Sequence, residues 1–325
     1  MEIFKAELIT SSDISDIAAR LRAGELCVVP TETVYGLAAN ALIPEAVDGI
    51  FKAKNRPNDN PLTVHIGAQS DMERFARDIP DSAYLLSQKF WPGPLTMVLL
   101  RSDLVPEKIS AGAPTVALRM PDNEVACRII TAAGDPIVAT SANISGSPSP
   151  TTLAHVLDDM GGKVSAIVDG GDLELGIEST VINMLTNPPR ILRLGSLGVE
   201  EIERVIGPVE FDESSAPASA HRHYSIGKRA VLIKSSLEKF NEYIADKSDF
   251  AVLCFDGESF SVPHISYGGR DDSSSLGRGL FAALRELEGL EVSAVFMRCP
   301  EGDDAMSAAV KARLMKTADN NFVEL

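Results

Sequence analysis

From Gly207 to Gly227 the chain reads GPVEFDESSAPASAHRHYSIG, rich in Ser, Ala and Pro and without sustained apolar periodicity. Such a stretch offers no continuous apolar face to bury, so one packed core ends before it and another begins after it. It divides the 325 residues into an N-terminal domain over 1–206, a linker over 207–228 and a smaller C-terminal domain over 229–325. A chain of 325 residues already exceeds the comfortable size of a single core.

Before the linker, helical and extended patterns alternate. Ile14, Ile17, Ala18 and Leu21 share one helical face that stops at Gly24, and Leu26 to Val29 reads as a buried strand. A second helix opens at Pro44, a good first-turn residue, with Val47, Ile50 and Phe51 on its apolar side. Further strands are expected at Leu95–Leu100, Val116–Leu118, Ile137–Ala139, Ala166–Val168, Val181–Ile182 and Ile191–Leu192. The pattern predicts an α/β domain. Its sheet is mixed, because a connection as short as that from Val181 to Ile191 cannot hold a crossover helix. After the linker, strands at Ala230–Ile233, Phe250–Phe255 and Val292–Met297 alternate with helices near Leu237–Ile244, Leu276–Leu287 and Asp304–Met315, a second α/β unit. In SLGRGLFAALREL (275–287) the glycines are read as tolerated within an amphipathic helix.

Several function classes are disfavoured. No stretch approaches the roughly 18 apolar residues of a membrane span, and MEIFKAELITSSD lacks the basic and apolar regions of a signal peptide, so the expected location is cytoplasmic. Cys27, Cys127, Cys254 and Cys299 lie far apart with no zinc spacing and read as buried, reduced thiols. A net charge of −16 argues against a surface built to grip nucleic acid. There is neither a G-x-G-x-x-G fingerprint in a strand-to-helix context nor a phosphate loop of the G-x-x-x-x-G-K-S/T kind. Any ATP is held by other means.

Against that acidic background, segments that combine turn residues with anion-binding groups stand out: PTETVYGL (30–37), KAKNRPNDNPLTVHI (52–66), VALRMP (116–121), ATSANISGSPSPTT (139–152) and ESTVINMLTNPPRILRLGS (178–196). Lys52, Lys54 and Arg56 follow a helix end, and Pro57 and Pro61 then fix an extended loop that holds cationic groups still. Arg suits bidentate contact with phosphate or carboxylate, and Lys acts as a point charge. Ser141 and Asn143 lie just past an expected strand end, where open α/β sheets place ligand contacts. His155 and His264 read as structural.

In order and wording these segments resemble the threonylcarbamoyl-AMP synthase family, a YrdC-like domain followed by a Sua-type C-terminal domain. The resemblance implies a YrdC-like open, twisted, mixed sheet with helices and a smaller Rossmann-like α/β unit. It implies L-threonylcarbamoyladenylate synthesis, in which L-threonine, bicarbonate and ATP, with Mg2+, give threonylcarbamoyl-AMP and pyrophosphate. That product passes to a separate threonylcarbamoyl transferase acting on tRNA, so direct tRNA binding is not required. Residue by residue, Lys54 and Arg56 match the family's KxR pair, and Ser141 and Asn143 its SxN pair, together a catalytic tetrad. Thr33, His65, Arg119 and Ser179, with the backbone at Ala139, match its threonine positions; Arg56, Asn60, Thr115, Ser141, Ser149 and Arg193 match its ATP positions. No metal ligands are implied.

The family's linker brings a Tyr near the nucleotide, which points to Tyr224. Members read PGMxYxHYxP, whereas this chain departs with Pro217, Ala218, Ser219, Ala220, His221, Arg222, His223, Tyr224, Ser225 and Ile226. Two alternatives share the fold: a module that binds double-stranded RNA, which the net charge of −16 opposes, and a carbamoyl-transfer domain of hydrogenase maturation. The latter comes with zinc-finger cysteines and an acylphosphatase domain, neither visible here.

Overall fold

Thr10 sets the first long helix. Its hydroxyl accepts from the Asp13 N–H at 3.2 Å while the Asp13 carboxylate accepts from the Thr10 N–H at 2.8 Å, a reciprocal cap for Ser11–Arg22. Ile14, Ile17, Ala18 and Leu21 are the residues this helix buries, as the sequence spacing predicts. The second helix, Pro44–Lys54, has Pro in its first turn and stops where Asn55 turns left-handed with φ 51°. It buries Ala46, Val47, Ile50 and Phe51 and also its last residue, Lys54.

The computed structural model describes residues 1–215 and 223–325, so Pro217 to Arg222 of the linker motif lie outside the described residues. Two compact units emerge. The first comprises Met1–Ser145, Pro150–Glu174 and a segment starting at Glu178; the second takes Gly146–Ser149, Leu175–Ile177 and a segment running to Leu325. The two short excursions into the second unit are invisible in the sequence pattern, which places a single break at the linker.

The first unit is built on a mixed sheet of 12 strands among the described residues. Along the sheet the order is Glu2–Lys5, Ala166–Asp169, Cys27–Val29, Gly36–Asn40, Ile137–Ser141, Thr63–His65, Thr115–Arg119, Leu95–Arg101, Thr180–Asn183, Arg190–Arg193 and Glu210–Phe211, with Ala76–Arg77 added beside Leu95–Arg101. Thr180–Asn183 and Arg190–Arg193 pair antiparallel, as their short connection requires. Glu210–Phe211, expected in the linker, instead pairs parallel with Arg190–Ile191. Two residues suffice because the Arg190 guanidinium also donates to Glu210 Oε2 at 2.9 Å and 3.1 Å.

Strand alternation gives the sheet two faces. Val28, Leu37, Ala39, Val64, Val138 and Ile167 enter the main core, which the Pro44–Lys54 helix covers. Cys27, Val29, Ala38, Ile137, Ala139, Ala166 and Val168 enter a smaller core under Ser11–Arg22 and Glu124–Ala133. The register carries this second face onward. His65 pairs with Arg119 and Thr63 with Ala117 and Ala139, so Thr115, Arg119, His65 and Ala139 all point to the face opposite the main core.

The second unit, taken by itself, is a five-stranded parallel sheet ordered His264–Ser266, Phe250–Cys254, Ala294–Arg298, Arg229–Lys234 and Phe322–Glu324. Phe250–Cys254 is buried along its whole length, as a parallel strand covered on both faces must be. The glycines of Ser273–Gly289 have a packing role. A Cβ on Gly279 would stand 2.3 Å from Tyr267 O, and one on Gly277 would stand 2.9 Å from Leu175 O. No described helix is long and apolar enough to cross a membrane.

Gly279→Ala therefore forces the helix off the backbone at Tyr267, just past the His264–Ser266 strand, and is expected to destabilise the second unit by about 1–3 kcal/mol. Gly289→Ala, where a Cβ would meet nothing within 4 Å, is expected to change little. Urea unfolding of the two variants, followed by tyrosine and tryptophan fluorescence and by circular dichroism, checks the difference.

Candidate active site

Lys54 ends its helix on the main-core side and reaches around the end of Ile137–Ser141. Its Nζ donates to Ser141 O, to Asn143 O at 2.7 Å and to Asn143 Oδ1 at 3.4 Å. Only 1% of the residue is exposed. Burial and the neighbouring Arg56 charge pull the Lys54 pKa well below the usual lysine range, while Asp159 and Glu178 oppose them. Three oxygen acceptors around one nitrogen nevertheless suit an ammonium, whose three N–H bonds they can all receive. Asn143 Nδ2 donates to Ile144 O at 2.8 Å, which fixes the amide with its oxygen toward Lys54. Lys54, Ser141 and Asn143 thus come together at one strand end.

Arg56 lies two residues on, past the left-handed Asn55. Its Nη2 donates to Asn60 Oδ1 at 2.7 Å and to Pro61 O at 2.8 Å, and its Nε to Asn60 O at 3.3 Å. The loop closed by Pro57 and Pro61 therefore wraps the guanidinium and leaves Nη1 without a partner among the described residues. Burial pushes its pKa down to about 10, so the side chain stays cationic at neutral pH. Asn60 itself is buried.

A second group lies on the site-bearing face of the sheet. Arg119 and His65 are register partners. His65 Nδ1 sits 3.3 Å from Thr63 O, an acceptor, so Nδ1 carries the proton and Nε2 is the free acceptor. Burial and the Arg119 charge push the His65 pKa down to about 3, which keeps the ring neutral. A small cavity is lined by His65 with Ala139, Thr31, Pro121 and apolar residues of the flanking helices. Ala139, with Ala38 and Thr63 as its ladder partners, contributes a methyl there. Thr115 starts the strand that carries Arg119.

Ser179 is buried next to Thr180–Asn183. Its Oγ lies 2.8 Å from Thr96 Oγ1 and accepts from Arg193 Nη2 at 3.2 Å, and its carbonyl accepts from Arg193 Nε at 3.0 Å. Gly195 makes this arrangement possible, because a Cβ there would stand 2.5 Å from Thr180 N and 2.6 Å from Glu178 O. Thr33 is fully buried in the turn between Cys27–Val29 and Gly36–Asn40, with Oγ1 2.8 Å from Thr31 Oγ1. Thr31 spends its own proton on Val34 O, so the proton between the two hydroxyls comes from Thr33 and its oxygen keeps lone pairs to accept.

The same turn holds a residue that motif reading passes over. Glu32 Oε2 is 2.8 Å from Arg119 Nη2, and both side chains are more than 90% buried. The signal in the sequence is small: Glu32 is the one charged residue of PTETVYGL. Ser149 and Tyr224 belong to the second unit, where Ser149 is buried and the Tyr224 ring stacks on Phe281 at 5.2 Å. The cysteines are free thiols, with Cys127 only half-buried where full burial is the sequence expectation. Burial raises Cys27, Cys127 and Cys254 to about 11, which leaves them unreactive. His155 Nδ1 accepts from the Thr151 N–H at 3.3 Å, and His264 Nδ1 donates to Val262 O at 2.9 Å.

Buried cations, hydroxyls and a neutral imidazole gathered on and beside one mixed sheet, with a separate parallel unit, define a mixed α/β protein. A family model described as "Telomere recombination" matches residues 19–195, and one described as "Threonylcarbamoyl-AMP synthase, C-terminal domain" matches 197–319. The threonylcarbamoyl-AMP synthase of Pyrococcus abyssi is 39% identical, with 98% of each chain covered. That of Bacillus subtilis is 36% identical, with 98% of this chain and 96% of its own covered. The solved structure of P. abyssi Sua5 complexed with L-threonine matches with a TM-score of 0.94 at 37% identity over 100% of both chains. The chain belongs to the threonylcarbamoyl-AMP synthase family.

His65 gives a pH-dependent stability. Its folded pKa of about 3 lies below the ordinary 6.5, so the unfolded chain binds the proton first as pH falls. The stabilisation is complete above about pH 6.5 and is lost as pH drops toward 3. Between pH 7 and pH 4 wild type is expected to lose roughly 3 kcal/mol more than His65→Gln. Chemical denaturation of both proteins at stepped pH measures that difference in slope.

Proposed function

We propose that this chain is an L-threonylcarbamoyladenylate synthase, a nucleotidyltransferase that forms threonylcarbamoyl-AMP and pyrophosphate from L-threonine, bicarbonate and ATP. The observation that carries the reading is the cluster of Lys54, Ser141 and Asn143 at one strand end, in a chain that matches curated synthases over nearly its whole length. Membership in the family supports this reading over an RNA-binding module or a carbamoyl-transfer domain.

In the proposed reaction the neutral threonine amine bonds to the bicarbonate carbon with loss of water to give an N-carboxylate, whose oxygen attacks the α-phosphorus of ATP and expels pyrophosphate. Negative charge gathers at the reacting centre, and fixed donors lower the barrier because they need not reorganise as it develops. Arg56 serves through the guanidinium edge that Asn60 and Pro61 leave open. Lys54 holds the 141–143 backbone in place and supplies positive potential, and Ser141 and Asn143 offer hydroxyl and amide donors. Arg119, His65, Thr33, Ser179 and the chain at Ala139 receive threonine, with Arg119 matched to its carboxylate and the Nε2 and Thr33 lone pairs to its donors. Asn60, Thr115, Arg193, Ser149 and Tyr224 are assigned to ATP. Among the described residues no group of three or more His, Cys, Asp and Glu is arranged to hold a metal ion. Magnesium is expected to arrive on the triphosphate as part of the substrate, shielding its charge. The product would pass to a separate transferase that modifies tRNA, and the reaction needs no membrane; a cytoplasmic location fits it.

Incubation with ATP, L-threonine and bicarbonate is expected to release pyrophosphate and to give threonylcarbamoyl-AMP by mass spectrometry. Release that ignores threonine or bicarbonate would sink the proposal. Arg56→Ala is expected to reduce turnover by roughly 10²- to 10³-fold, the scale for one preorganised donor; steady-state kinetics at saturating substrates checks it.

A further inference from the structure

Among the described residues two arginine–glutamate pairs are buried, and they differ in how well they are satisfied. In the second unit Arg298 Nε donates to Glu258 Oε1 at 3.2 Å and Oε2 at 3.3 Å, Arg298 Nη1 donates to Ser235 O at 2.8 Å, and Glu258 Oε2 also accepts from Phe255 N at 3.2 Å. The guanidinium lies between the rings of Phe240 and Phe255, at 5.3 Å and 5.5 Å. In that pair only Arg298 Nη2, 3.1 Å from Glu258 Oε1, lacks a hydrogen bond, and both carboxylate oxygens are satisfied.

In the Glu32–Arg119 pair the carboxylate is left without hydrogen bonds as well. The 2.8 Å contact between Arg119 Nη2 and Glu32 Oε2 is an ion pair without hydrogen-bond geometry, and Glu32 Oε1, Glu32 Oε2 and Arg119 Nη2 are all buried with no hydrogen-bond partner. Arg119 otherwise makes one long bond, Nε to Gly93 O at 3.4 Å. Buried charges left without hydrogen bonds are costly, and such groups are satisfied by something. The partner required offers an anion to Arg119 and a cationic N–H donor to Glu32, two opposite charges a few ångströms apart. An α-amino acid zwitterion has that pattern.

We infer that Glu32 is a specificity-determining residue that accepts the α-ammonium of the amino-acid substrate while Arg119 takes its carboxylate. This rests on the reading of the chain as a threonine-using synthase. It explains why an acidic side chain sits among otherwise cationic and neutral groups: a carboxylate there rejects substrates with only a negative charge. Thr33, next in the chain, keeps its oxygen lone pairs available beside it. His65, neutral and with Nε2 as acceptor, adds no competing positive charge.

The test is a cycle between protein and ligand, read by calorimetry on the full chain without turnover. Wild type and Glu32→Gln are each titrated with L-threonine and with 3-hydroxybutyrate of the same C3 configuration, which lacks only the amine. Wild type is expected to prefer L-threonine by roughly 10- to 100-fold, the scale of a hydrogen bond between charged groups. In Glu32→Gln that preference is expected to fall by about tenfold. If Glu32 only props Arg119, both ligands weaken together, the ratio is unchanged and the inference is overturned. A wild type that binds no L-threonine overturns the proposed function itself, a distinct result. Should Glu32→Gln fail to fold, Glu32→Asp, whose carboxylate is withdrawn by one methylene, is read the same way: a smaller preference supports the role and an unchanged one refutes it.

Discussion

The ammonium of Lys54, held by the carbonyls of Ser141 and Asn143, is the interaction on which the candidate site depends. A positive charge in a protein interior persists only where oxygen acceptors replace its water. Here those acceptors are main-chain carbonyls just past a central strand, so the side chain that tolerates burial also pins the loop that carries Ser141 and Asn143. One lysine ties a helix on one side of the sheet to a strand end whose side chains serve the other side. The C-terminal position of Lys54 on its helix adds to the effect, because the helix dipole favours a cation there.

The sheet separates the main core from the candidate site residues. Residues alternate along each strand, so Val64, Val116, Leu118 and Val138 build the main core while their neighbours Thr63, His65, Thr115, Arg119 and Ala139 take the opposite face. The core on the chemical face comes from Ser11–Arg22 and Glu124–Ala133 and is smaller, and polar groups occupy the rest. A one-residue slip in any of these strands would exchange the two sets, so the main core enforces the register that aligns His65 with Arg119.

Much of this was legible in the chain. The helices Ser11–Arg22 and Pro44–Lys54 follow from apolar spacing and turn residues, and the mixed sheet follows from the short Val181 to Ile191 connection. Strands made of small residues were not legible. Gly36–Asn40, GLAAN, has almost no intrinsic strand preference and is extended because both its edges are paired in the sheet's interior. Thr63–His65 is not among the strands expected from the sequence and becomes one because Thr115–Arg119 and Ile137–Ser141 flank it. The Glu210–Phe211 edge strand and the two excursions into the second unit escaped for the same reason: partners distant in sequence create them.

The sequence by itself determined the chemistry available: an acidic α/β chain with cations and hydroxyls gathered in a few segments. Residue type and local spacing suffice for that, since charge, periodicity and turn propensity are properties of neighbours. Only the tertiary structure decided which groups meet. Lys54 is 87 residues from Ser141 yet donates to its carbonyl, and Glu32 and Arg119 become a buried pair without hydrogen bonds. Desolvation, which moves Lys54 and His65 so far from their ordinary titration, arises from the packed surroundings and has no counterpart in the order of residues along the chain.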